Sequence, residues 1–78
     1  MRTFSLYIHS SKSATPTLAL EIAPYEMTVQ TMAERALAES RDLLLVEVRE
    51  EDRLLFTLDR DGSLFRSPHV EHQLHRVA

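Results

Sequence analysis

The chain has 78 residues, no cysteine, one glycine and a formal net charge of −3 from 12 acidic and 9 basic side chains. That length allows one domain, which buries only roughly 60% of the surface its unfolded chain exposes. Without cysteine there is no disulfide or thiolate metal site to staple it, so an apolar core or self-association has to hold the fold.

With 44% hydrophobic and 27% charged residues, the profile is that of a globular domain rather than a disordered tail. Arg35, Arg41, Arg49, Arg53, Arg60 and Arg66 are spread among acids, and Lys12 is the one lysine. A phosphate-binding surface needs clustered cations, so nucleic acid is a disfavoured partner. No apolar run approaches the roughly 20 residues of a membrane span. The opening MRTFSLYIHS is too short and too alternating for an export signal, so the expected location is the cytoplasm, away from membranes.

Residues 3–9 alternate, with Phe4, Leu6 and Ile8 on one side and Thr3, Ser5, Tyr7 and His9 on the other. That period of two predicts a strand with one buried face. The polar run SSKSATP, residues 10–16, reads as a hairpin loop. Residues 17–22 alternate again, and Leu18, Leu20 and Ile22 are expected to join the buried face. Pro24 stops this second strand, because it cannot donate to a ladder.

In TVQTMAERALAES, residues 28–40, the apolar positions Val29, Met32, Ala33, Ala36 and Leu37 fall at i, i+3, i+4, i+7 and i+8. One stripe at helical period predicts an amphipathic helix laid on the sheet. Thr28 is expected to cap it, at about 1 kcal/mol, with Met27 and Met32 spaced as a hydrophobic staple. The far end, Ser40-Arg41-Asp42, has no glycine and is expected to be ragged.

Residues 43–49 and 53–59 form two further strands around the acidic turn Glu50-Glu51-Asp52. Leu44, Val46, Val48, Leu54, Phe56 and Leu58 are expected on the helix side. Asp59-Arg60-Asp61-Gly62 reads as a turn in which Gly62 takes positive φ, and residues 63–66 can add a short strand. Ser67-Pro68 then opens a C-terminal helix carrying Val70, Leu74 and Val77. The expected fold is α+β, in the order β-β-α-β-β-(β)-α. It is an antiparallel sheet with the central helix on one face and a short C-terminal helix near the other.

The stretch LALEIAPYEMTVQTMAERAL resembles the second strand and helix of ubiquitin-like β-grasp proteins: a strand, a short proline-containing link and a Thr-capped helix. The resemblance covers residues 18–37. The later part departs from the pattern: β-grasp folds close with a long final strand paired to the first, whereas residues 67 onward here read as helix, and without a terminal diglycine conjugation is not implied. LLLVEVREEDRLLFTLDRDGSLFRSPHVEHQL is similar to a hairpin-plus-helix module of short uncharacterised bacterial proteins, which implies a bacterial source.

With one helix on one face, the other face is expected to show Tyr7, Leu43, Leu45 and Leu55. Open faces of antiparallel sheets are usually polar, so three leucines there call for a cover. The C-terminal helix is one candidate. A second copy of the chain, by face packing or edge pairing, is the other. Burying three leucines contributes on the order of 5 kcal/mol at about 1.5–3 each.

No pattern names an enzyme. His69, His72 and His75 with Glu71 have a spacing that could bind a divalent ion from a helix, but a solvated helix face is the simpler account. Asp59, Asp61 and Gly62 match part of a calcium loop, whose twelfth position here is Val70 rather than glutamate. His9 with Ser5, Ser10, Ser11 and Ser13 lacks the sharp turn and oxyanion donors of a nucleophile site. A single glycine excludes a phosphate-cradling loop. No cofactor is expected. The expected function is a protein-interaction module that dimerises through Tyr7, Leu43, Leu45 and Leu55 or through an edge strand. The alternatives are a dimeric nucleic-acid-associated regulator and a metal or small-ligand binder built on the C-terminal histidines.

Overall fold

The computed structural model describes residues 1–66. The expected C-terminal helix and His69, His72 and His75 lie outside the described residues. The fold is α+β, and the described residues form five strands and one helix: β1 (Arg2–Ser10), β2 (Ser13–Ala23), α1 (Glu26–Glu39), β3 (Leu43–Glu50), β4 (Arg53–Asp59) and β5 (Leu64–Arg66). All pairings are antiparallel, and the sheet order is β2-β1-β3-β4-β5. The likeness to β-grasp proteins stops at the β2–α1 stretch. β1 lies between β2 and β3, and β5 lies on the outer edge beside β4.

The helix carries the chain from β2, at one edge, across β1 to β3. Val29, Ala33 and Leu37 are its buried residues. They pack on Phe4, Leu6, Val46, Val48, Phe56 and Leu58, while Ala23 closes the end of β2. At one side of the wheel Glu26 accepts from Arg66 Nη1 on β5 at 2.7 Å. At about 100° per residue, Met32 lies at the side of the buried stripe and is 39% exposed. The helix begins three residues earlier than the Thr28 cap implies. Tyr25, in extended conformation and without a side-chain cap bond, precedes it. Thr28 N–H donates to the Tyr25 carbonyl at 3.1 Å, so Thr28 lies inside the first turn, and Met27 and Met32 are both exposed instead of stapled.

The face assignment of β2 is corrected. Leu6 faces Ala19 and Phe4 faces Glu21 across the ladder. Thr17, Ala19, Glu21 and Ala23 therefore lie on the helix side, while Leu18, Leu20 and Ile22 lie on the open side. The cause is the turn. The expected seven-residue loop is two residues, Ser11 and Lys12, with a register irregularity between Ile8 and Ser10. A one-residue change in register carries every side chain to the other face.

Two bulges correct β3 and β4 in the same way. The step from His9–Leu45 to Ser10–Leu43 skips Leu44. The step from Val48–Phe56 to Arg49–Leu54 skips Leu55. The extra residue in each bulge breaks strict alternation. Leu43 and Leu55 consequently pack against the helix-side core, and Leu44 is 46% exposed.

The turns follow their composition. Glu51 and Asp52 both have positive φ, 52° and 49°, the conformation of a two-residue type I′ hairpin. Asp59 Oδ1 accepts from the N–H groups of Asp61 and Ser63, and Gly62 sits at φ 86°.

Candidate interaction surface

The strand register assembles the open face row by row. Ile22 stands beside Thr3. Leu20, Ser5, Arg49 and Leu54 form the next row. Leu18, Tyr7, Glu47, Thr57 and Phe65 form the third. His9, Leu45 and Asp59 form the fourth. The face is thus polar in the middle and apolar along its β2 margin.

In the polar middle, Arg49 Nη1 donates to Glu47 Oε2 at 2.7 Å, and His9 Nε2 lies 3.7 Å from Glu47 Oε1. Both partners of the Glu47–Arg49 bond are half-buried. The Glu47–Arg49 bond runs along β3 between residues two apart, and His9 Nε2, beyond hydrogen-bond reach of Glu47, is buried without a partner among the described residues. These groups offer no nucleophile, no cleft and no converging donors. Among the described residues no three His, Cys, Asp or Glu side chains group as metal ligands.

The β2 margin differs. Leu18, Leu20 and Ile22 are 54%, 64% and 68% exposed. They stand at i, i+2 and i+4 on a strand with no neighbour on its outer side among the described residues. Natural edge strands are short, or are guarded by lysine, proline, bulges or inward charge. β5 is guarded by length, at three residues. β2 is eleven residues long. Pro16 and the register irregularity guard its first part, but residues 17–23 pair one to one with residues 8 to 2 of β1 without interruption. The only charged side chain in β2 is Glu21, on the helix side.

Of the four residues expected on the open face, Tyr7 and Leu45 are there and half-buried, while Leu43 and Leu55 support the core. The margin formed by Leu18, Leu20 and Ile22 escaped the sequence reading, which had turned β2 inward. One signal pointed to it: a proline inside an alternating run marks an edge strand, and Pro16 falls inside β2.

A second apolar group sits on the helix. Tyr25, Met27 and Met32 are 68%, 62% and 39% exposed around a shallow depression shared with Thr28, Thr31 and Arg35. It is open and has no converging polar groups.

No described helix is long and apolar enough to cross a membrane. Comparison of the chain with protein-family models, with curated proteins and with solved structures finds no match.

Proposed function

We propose that the chain is a protein-interaction module that acts by pairing with its own kind along β2. The observation that carries this is the regular edge of residues 17–23, which has no strand on its outer side among the described residues and bears three large, exposed apolar side chains. Such an edge presents a row of free N–H and C=O groups, and an added strand satisfies them while covering the alternate side chains. An identical strand matches it residue for residue, which suits the isologous contact of a two-fold dimer. In this role the protein binds and does no chemistry of its own.

Light scattering over a dilution series tests the proposal. The expected result is a mass near twice 9.0 kDa at high concentration, falling toward the monomer on dilution. A strict monomer throughout would overturn it. Leu20→Glu should give the monomer at every concentration with an unchanged circular dichroism spectrum.

A further inference from the structure

The geometry points to one register for the paired copies. Two β2 strands run antiparallel about a two-fold axis through Leu20, perpendicular to the sheet. Leu20 faces the partner's Leu20, and Leu18 faces the partner's Ile22. This register rests on the self-association proposed above and fixes which residues meet.

Residues that face each other in an antiparallel ladder share a side of the sheet, so acceptable registers come in steps of two residues. Three are worth weighing. With the axis at Ala19, Leu18 meets the partner's Leu20, but Ile22 meets Pro16, and the proline with the adjoining irregularity enters the new ladder. With the axis at Glu21, the two Glu21 carboxylates stand directly opposite, a repulsive pair, and Leu18 falls opposite Pro24, beyond the strand.

The axis at Leu20 avoids both faults. It pairs all three large apolar residues with apolar partners. On the helix side it sets Glu21 against Ala19 and Thr17 against Ala23, a small residue opposite each larger one. Leu20 is also the midpoint of residues 17–23, the stretch of β2 that runs beside β1 without irregularity. Pro16 and Pro24 then lie just outside the new ladder at each end, where a missing N–H costs nothing.

The assembly follows from the axis. The two five-stranded sheets become one, both helices lie on the same side, and the exposed leucines and isoleucines of both copies form one apolar block on the other. Packing the open faces against each other would instead put the helices on opposite outer sides.

The absence of cysteine allows a clean test. In facing positions of an antiparallel ladder the Cα atoms are about 4.5–5.5 Å apart, within disulfide reach. Under mild oxidation of dilute protein, Leu20→Cys should form a disulfide-linked dimer. Leu18→Cys alone and Ile22→Cys alone should not, because like residues then lie roughly 14 Å apart along the strands. An equimolar mixture of Leu18→Cys and Ile22→Cys chains should link. If the protein dimerises by light scattering but Leu20→Cys stays unlinked, or Leu18→Cys links to itself as readily, the register is wrong and self-association stands. If neither wild type nor any variant associates, both fall together.

Discussion

Phe4 and Glu21 face each other across the β1–β2 ladder. Phe4 is fully buried under the helix, so its neighbour sits on the same side, and the odd-numbered residues of β2 go with it. The apolar set of β2 is thereby turned outward. The helix covers the middle of the sheet, where Val46, Val48 and Phe56 seal against Val29 and Ala33. The β2 margin is left with apolar side chains on its open face and nothing over them among the described residues.

Core and margin should therefore respond differently to substitution. Phe4→Ala empties a fully buried site and should cost about 3–5 kcal/mol, enough to unfold much of a domain this small. Leu20→Glu should leave the monomer's stability within about 0.5 kcal/mol but abolish any dependence of the melting temperature on protein concentration, which wild type should show through mass action. Thermal melts of both variants over a hundredfold concentration range check this. A melting temperature of wild type that ignores concentration would contradict it.

The first and third strands are tied at one end by charge. Arg2 Nε and Nη2 donate to Glu50 Oε2 and Oε1 at 2.9 and 2.6 Å, a bidentate pair. The guanidinium hydrogen bond holds the Glu50 carboxyl below its ordinary value of 4.5, against the opposite pull of partial desolvation. A carboxyl depressed by folding contributes stability that is fully present above its unfolded value and is lost as pH falls through the folded one. Urea unfolding of wild type and Glu50→Gln should thus show a gap that is constant at neutral pH and closes on acidification below about 4.5. A gap that persists unchanged at pH 2 would remove the pair as its cause.

The β3–β4 turn stores conformational cost. Glu51 and Asp52 both lie in the left-handed region, which costs a side-chain-bearing residue roughly 1–2 kcal/mol. Type I′ turns favour glycine at the second position. Asp52→Gly should raise stability by about 0.5–1 kcal/mol, since the backbone carbonyl that accepts from Arg49 Nη2 is retained. Chemical denaturation reads this directly. A lower midpoint would mean that the Asp52 side chain contributes more than the strain takes away.

Much of this fold was legible in the chain. The period-two runs gave the strands, the stripe of Val29, Met32, Ala33, Ala36 and Leu37 gave the helix, of which Val29, Ala33 and Leu37 are buried while Met32 is exposed, and Gly62 marked its turn. The facing of the strands was not legible. Alternation says that Leu18, Leu20 and Ile22 share a side, but only the register across the two-residue turn says which side. The bulges at Leu44 and Leu55 are a similar case, because no residue type there announces an extra position. The apolar surface was expected on the β3–β4 hairpin for that reason and lies instead on β2.

The helix ends at Glu39 with Ser40 as its cap, where the sequence places its end, and this end yields a last prediction. Without a glycine after Glu39 the final carbonyls need another donor. Arg60, from the β4–β5 turn, supplies one: Nη2 donates to the Ser40 carbonyl at 3.1 Å, and Nη1 reaches the Ser40 and Leu37 carbonyls at 3.5 Å. A cation there also suits the negative end of the helix dipole. Arg60→Ala should lower stability by about 0.5–1 kcal/mol and speed hydrogen exchange at the Ser40 amide, which donates to the Ala36 carbonyl. Arg60→Lys keeps the charge and loses the fork, so it should recover only part of both effects. Equal exchange rates in all three proteins would show that the last turn holds without Arg60.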